Sequence, residues 1–207
     1  MRLWMSILLL ACGQEEVEEN YEAVHPDGTV AAQVELSNGV PQGESVEWHE
    51  NGQMFRRTHF ENGVEHGSRE EWFADGTPSS RGAFLRGTQD GVWIFWYENG
   101  LKRAESTFQA GIEQGTRSEW YENGQLKSQA QVELSLQQGE RSFWYENGQL
   151  KARGLFQRDL KHGPEEELDE SGAWTQTVCY LADEAGKSWK AADGDTRPEW
   201  QVDLCES

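Results

Sequence analysis

Large apolar side chains fall on even-numbered positions along most of this chain, in rows that step by 24 residues. One row is Trp48, Trp72, Trp96, Trp120 and Trp144. A second is Leu36, Phe60, Phe84, Phe108, Val132 and Phe156. A third is Val40, Val64, Thr88, Ile112, Leu136 and Leu160, and Met54, Leu126 and Leu150 form a fourth. Odd positions carry polar rows: Glu47, Glu71, Glu119 and Glu167, then Arg69, Arg117 and Arg141. His25, His49, Phe73, Tyr97, Tyr121 and Tyr145 are odd as well. Alternation with period two is the signature of strands, because successive side chains point to opposite sides of a sheet. A fixed 24-residue step means a repeat architecture. The expectation is one even-numbered apolar face that persists through every strand, with a Glu–Arg face behind it.

Turn chemistry divides each unit in two. Gly28, Gly52, Gly76, Gly100, Gly124, Gly148 and Gly172 keep the same 24-residue step, and Asn, Asp or Ser precedes each. Asn-Gly and Asp-Gly supply positive φ at little cost and are the strongest short-range hairpin signal. A second turn lies between them at Asn38-Gly39, Asn62-Gly63, Arg86-Gly87 and Ala110-Gly111, and decays to Ser135 and Asp159. Another glycine ladder, Gly43 to Gly163, runs in step. Two turns per unit leave strands of about 7–9 residues. Gly52, Gly76, Gly100, Gly124 and Gly148 are the main turn-forming residues. A two-residue loop would flip parity across it, so three-residue loops with a glycine bulge are expected there. The array is expected over residues 24–172.

Charge narrows the partners. The 207 residues carry a formal net charge of −19. Phosphate neutralisation needs a basic surface, so nucleic acid is not an expected partner. Anionic lipid heads are equally unattractive.

The N-terminus opens with Arg2 and an apolar run from Leu3 to Leu10, too short to span a bilayer but laid out like a secretory signal. Leu9-Leu10-Ala11-Cys12 resembles the bacterial lipobox. That resemblance implies cleavage after residue 11, lipid on Cys12 and a membrane-attached chain in a bacterial cell envelope. An ordinary cleaved signal and a buried N-terminal strand with a chance cysteine are the other readings. Gly13 stands where an aspartate would resemble an inner-membrane retention signal, so the outer membrane is the expected destination. Residues 12–23, rich in glutamate, read as an acidic tether.

Trp-Tyr-Glu-Asn-Gly-Gln-Leu-Lys occurs at 120–127 and again at 144–151. With the second turn and its glycine, this pattern resembles the variant MORN repeat of bacterial antitoxin-type repeat proteins, over roughly residues 24–172. The resemblance implies stacked β-hairpins in a long, single-layer antiparallel sheet that contacts proteins or lipid. Pro78 in the Leu126 row, Leu101 one place early and Leu168 in the Trp row depart from it. The antitoxin label implies little for an exported chain.

Residues 173–207 leave the sequence period and are expected to cap the array, because a terminal repeat has an open edge. Cys179 and Cys205 flank this segment. In an exported protein they are expected to form a disulfide, worth about 3 kcal/mol through loop closure. A redox pair and two free thiols are the other readings. The fold expectation is therefore all-β: an elongated single-layer antiparallel β-meander of 24-residue hairpin repeats with a disulfide-stapled C-terminal cap.

Catalytic signatures are not evident. His66 and His162 fall in a row shared with Gln42, Asp90, Gln114 and Gln138, which marks a surface position. No zinc, phosphate-loop or nucleophile-elbow motif occurs, and the carboxylates are spread by the repeat. No catalytic residue, metal, cofactor or small-molecule substrate is expected. The candidate binding face is the row His49, Phe73, Tyr97, Tyr121 and Tyr145. The expected function is a lipid-anchored scaffold for a protein partner or for self-association. Carbohydrate binding, on a superficial likeness to choline- and glucan-binding repeats, and a passive spacer are the alternatives.

Overall fold

The computed structural model describes residues 2–8, 16–190, 196–198 and 205. Cys12 and the expected cleavage point lie outside the described residues, as does Trp200. The described residues form strands and turns with no helix, so the chain is all-β. They divide into two compact units, Met1–Gly100 and Leu101–Ser207.

In the first unit the strands are β1 (Arg2–Leu8), β2 (Glu16–Val24), β3 (Val30–Ser37), β4 (Val40–Trp48), β5 (Met54–Glu61), β6 (Val64–Trp72), β7 (Pro78–Leu85) and β8 (Thr88–Trp96). Each pairs antiparallel with its chain neighbour within the unit. The second unit repeats the plan with β9 (Lys102–Gln109), β10 (Ile112–Trp120), β11 (Leu126–Glu133), β12 (Leu136–Trp144), β13 (Leu150–Gln157), β14 (Leu160–Leu168), β15 (Trp174–Leu181) and β16 (Glu184–Lys190). Neighbours again pair antiparallel. From β2 onward strand starts step by 24 residues, so the sequence period is the structural period.

That period reaches further than the sequence pattern does. Glu16–Val24, expected as a tether, is the copy of Val40–Trp48 one step back. Val24 there replaces the tryptophan and Glu19 the glycine, which hid it. Pairing with β3 satisfies one side of its backbone, so acidic side chains do not prevent strand formation. Its other side pairs with β1, which the apolar run expected as a cleaved signal forms in the full chain. Likewise β15 and β16 lie inside the segment expected to be an aperiodic cap, and they continue the repeat.

The two turns of each unit differ. At the Asn51-Gly52 turn, His49 N–H donates to the Gln53 carbonyl (2.8 Å) and Gly52 N–H to the His49 carbonyl (2.9 Å). This closes a three-residue loop with Gly52 at φ 82°, as expected. At Asn62-Gly63 both residues take positive φ, 51° and 78°, and Glu61 pairs directly with Val64. That is a two-residue loop, and it flips parity. A bulge opposite Trp48 flips it back, since Trp48 pairs with Met54 but Glu47 with Arg56. The second glycine ladder makes another bulge: Gly67, at φ 92°, lies where the register shifts between Phe60↔Glu65 and Thr58↔Arg69.

The single even-numbered apolar face is therefore not formed. Even residues of the odd-numbered strands share a face with odd residues of the even-numbered strands; we call it face A. It gathers Thr58 and Phe60 with Arg69 and Glu71. In each unit face B carries the tryptophans of the repeat, with Val40 and Val64 in the first unit and Ile112, Leu136 and Leu160 in the second.

Burial on face A comes from alternating sizes. Small residues on odd-numbered strands lie between long ones on the strands beside them. Ala130 pairs with Arg117 on one side and Arg141 on the other and is 4% exposed. Gly82 is overlaid by the Trp93 indole so closely that any Cβ there would occupy the ring. Trp93 is itself buried and donates Nε1–H to the Ala83 carbonyl (3.2 Å). The tryptophans of the repeat motif, by contrast, are only half-buried.

Arg197 and Cys205 of the C-terminal segment are held on face B of β14 and β15. Cys205 is bonded to Cys179, and the Arg197 guanidinium reaches Glu166 at 2.6 Å. Pro164, Glu166, Leu168, Thr177 and Cys179 are buried there. The expected disulfide is thus formed; it staples a short strap onto the last repeat.

Candidate functional site

The aromatic row proposed from sequence as a binding face is held by the backbone of the next repeat. Tyr121 Oη donates to the Trp144 carbonyl (2.8 Å) and Tyr145 Oη to the Leu168 carbonyl (3.0 Å). In the first unit His25 Nε2 and His49 Nε2 bond the Trp48 and Trp72 carbonyls at 3.1 and 3.0 Å. Each link spans 23 residues. Phe73 has no polar atom for such a bond, and it is half-buried in the loop that its own N–H closes onto the Thr77 carbonyl. Tyr97 begins the corresponding loop, where its carbonyl accepts from Gly100 N–H (2.9 Å). Partial burial beside Glu146 pushes the Tyr121 phenol above its ordinary range.

Turn asparagines make a parallel set of links. Asn123 Oδ1 accepts the Gln125 N–H, and its Nδ2 donates to the Glu146 carbonyl at 2.9 Å. Asn51 and Asn147 do the same toward Ala74 and Glu170. Asp27 and Asp75 have no donor. They turn instead to Thr29 and Thr77, whose hydroxyls and amides hold those carboxyls below the usual carboxylate range.

At the opposite edge, Gly63 and Gly87 donate to the Pro41 and Glu65 carbonyls of the preceding repeat. Ser135, Asp159 and Asp183 donate likewise to Glu113, Gln137 and Lys161. Their side-chain oxygens also accept the N–H of those same residues, at 3.1, 2.7 and 2.7 Å. What reads as decay of the second turn is therefore a second hydrogen bond per seam.

These links give the aromatic row a testable structural role. Tyr145→Phe removes the side-chain donor to the Leu168 carbonyl. The expected loss is about 1 kcal/mol in urea unfolding, the usual net value of one such bond. A variant as stable as the parent would remove the staple from this account.

Face A carries ion pairs in a fixed pattern. Arg56 holds Glu47 through Nε and Nη2 (2.9 and 2.6 Å). Arg69 reaches Glu71 at 2.7 Å and Glu65 at 3.1 Å. Arg117 takes both oxygens of Glu113. These bonds raise Arg56 and Arg117 above the ordinary arginine range and lower Glu71 and Glu113 against the opposing effect of burial. Arg141 departs from the pattern. Its Nη1 bonds the Gln137 amide oxygen (3.1 Å), its guanidinium lies 4.4 Å from the Phe143 ring, and its Nε is buried with no partner.

Face B exposes an aliphatic row instead. Val64, Ile112 and Leu160 are each 44% exposed, at the start of β6, β10 and β14, and Leu136 at the start of β12 is 38% exposed. Arg57 lies over the Trp72 ring at 5.8 Å, and Lys102 over Trp120 at 5.6 Å. No group of three or more metal-binding side chains occurs among the described residues.

Four stretches of this repeating backbone, residues 41–62, 89–110, 113–133 and 137–158, match the family of MORN repeat variants. Those repeats are similar to variant MORN repeats. Each matched segment begins just inside an even-numbered strand, crosses the following Asn-Gly loop and ends at or just past the end of the next strand of the chain. A porin-like protein from Bacteroides uniformis ATCC 8492 is similar over 90% of this chain and 93% of its own, at 7% identity and a TM-score of 0.22. A superposition that loose carries no argument about the array. No curated relative matches the sequence.

Sequence reasoning named the aromatic row but missed the Gln137–Arg141–Phe143 lapse and the side-chain seams at Ser135, Asp159 and Asp183. The signal for the first was present. The Glu row skips Phe95 and Phe143, and Gln137 stands where Glu65 and Glu113 stand.

Proposed function

We propose that this protein is a non-catalytic, lipid-anchored component of a bacterial cell envelope whose MORN array is a contact surface for another protein. MORN repeats generally serve protein or membrane contact. The observation that carries the protein reading is the exposed aliphatic row on face B of each unit, Val40 and Val64 in the first and Ile112, Leu136 and Leu160 in the second, which recurs at the repeat spacing. Contiguous exposed apolar side chains rimmed by charge favour association. The net charge of −19 disfavours an anionic membrane as the surface contacted. Leu9-Leu10-Ala11-Cys12 supports the anchor, with the outer membrane as destination.

Two measurements test this. Cys12→Ser is expected to move the protein from the membrane fraction to the soluble fraction; unchanged fractionation removes the anchor. A photo-crosslinking residue at Ile112 or Leu136, in intact cells, is expected to trap a discrete protein adduct, whereas one at Phe108, on face A opposite Glu113, traps less. Equal labelling at all three sites would contradict a face B contact.

A further inference from the structure

The ion-pair pattern of face A lapses at a single arginine, and the lapse has the form of an acceptor site. Within the second unit one row of face A runs Arg117, Ala130, Arg141, Gly154 and Glu165 across adjacent strands. Arg69, in the first unit, and Arg117 occupy the position of Arg141 in other repeats. Around Arg69, the residues four before and two after are Glu65 and Glu71, and both are bonded to it. Around Arg117 they are Glu113 and Glu119, and Glu113 takes the Nε edge with two oxygens. Around Arg141 they are Gln137 and Phe143. Glu165, across Gly154 in the row, is bonded to Lys161. No carboxylate lies within ion-pairing distance of Arg141 among the described residues.

A guanidinium withdrawn from water without a counter-charge is costly, and a buried N–H donor left unpaired adds to that cost. Gln137 meets only Nη1, and the Phe143 ring supplies a flat wall without charge. Burial holds the Arg141 guanidinium below the ordinary arginine range, with the Arg117 charge acting in the same direction and Glu119 opposing it. Arg69 and Arg117 show what an arginine at this position binds on its Nε edge: a carboxylate. Fork geometry favours that ligand over a point charge.

We propose that Arg141 is a carboxylate-accepting site, filled by an aspartate or glutamate side chain of a partner protein that displaces Gln137 and lies against Phe143. The source of the carboxylate rests on the protein-contact reading above; the site itself does not.

The test is the Arg141 Nε–H resonance in a nitrogen-correlated spectrum of the soluble Cys12→Ser protein. Sodium acetate and the peptide acetyl-(Gly-Glu)3-amide are titrated against sodium chloride of equal ionic strength. Both are expected to shift that signal saturably while leaving Arg117 in place. Gln137→Glu supplies the carboxylate from within. It is expected to place the resonance near the Arg117 position and to abolish the response. An Arg141 signal that neither probe moves, or that moves equally in Gln137→Glu, overturns the site. A response to acetate with none to the peptide overturns the partner side chain as its source. Crosslinking at Ile112 and Leu136 reads the opposite face, so failure there is distinguishable from failure here.

Discussion

Glu166→Ala is expected to destabilise the protein by about 3 kcal/mol, read as a fall in the urea midpoint without a change of slope. Glu166 is 1% exposed, on a strand whose neighbours pair on both sides. Its Oε2 accepts from Arg153 Nε at 2.9 Å and its Oε1 from Arg197 Nε at 2.6 Å. Removing one partner of a buried pair typically costs 3–5 kcal/mol, because the charge left behind keeps its desolvation penalty. The lower end applies here. Arg197 is 47% exposed and rehydrates freely, whereas Arg153, at 26%, does so less. A loss below about 1 kcal/mol would mean that the carboxylate is not holding the strap.

Cys205→Ser is expected to cost a similar amount, about 3 kcal/mol in the chain-entropy picture, for a loop closed over a separation of 26 residues. Cysteine 205 is the better position to change, because Cys179 is buried against Pro164 and packs acceptably as a thiol. Adding reductant to the parent protein should reproduce the loss. Both bonds hold the same strap to the same two strands, so the double variant should lose less than the sum of the singles. Strict additivity would show that Arg197 stays seated without the disulfide.

The all-β class and the three-residue loops were legible because they are written in local patterns, the period because those patterns recur, and the stapled cysteines because Cys179 and Cys205 flank the segment that leaves the sequence period. Face assignment was not. The dipeptide Asn-Gly serves two different turns: at 51–52 only the glycine takes positive φ, whereas at 62–63 both residues do. The second form flips parity, and nothing in the dipeptide itself distinguishes them. The Phe60 and Trp48 rows, even-numbered alike, consequently lie on opposite faces. The ends of the array were hidden for a related reason. Val24 and Lys187 replace the marker tryptophan and glycine, yet backbone pairing with a neighbour suffices to extend the meander.

The aromatic row illustrates the same limit in the candidate site. Tyr121 and Tyr145 look displayed in sequence, because their hydrogen-bond acceptors lie 23 residues away. Ser135 and Asp159 look like erosion of a turn until the N–H groups of Glu113 and Gln137 are seen beside them. Arg141 was visible as a row member, but its meaning lies in the two carboxylates absent around it.

The seams between neighbouring hairpins have an evolutionary corollary. Their bonds join residues 22 or 23 positions apart, and each uses the same atoms as the one before. Duplicating the stretch that holds residues 120–143 would create one more seam of a kind already present and disturb none of the others. Chain length can therefore change in whole steps without redesign, while the strap that seals the last hairpin is needed once. An array of this kind can be lengthened to suit the span it must cover, in increments fixed by a single hairpin.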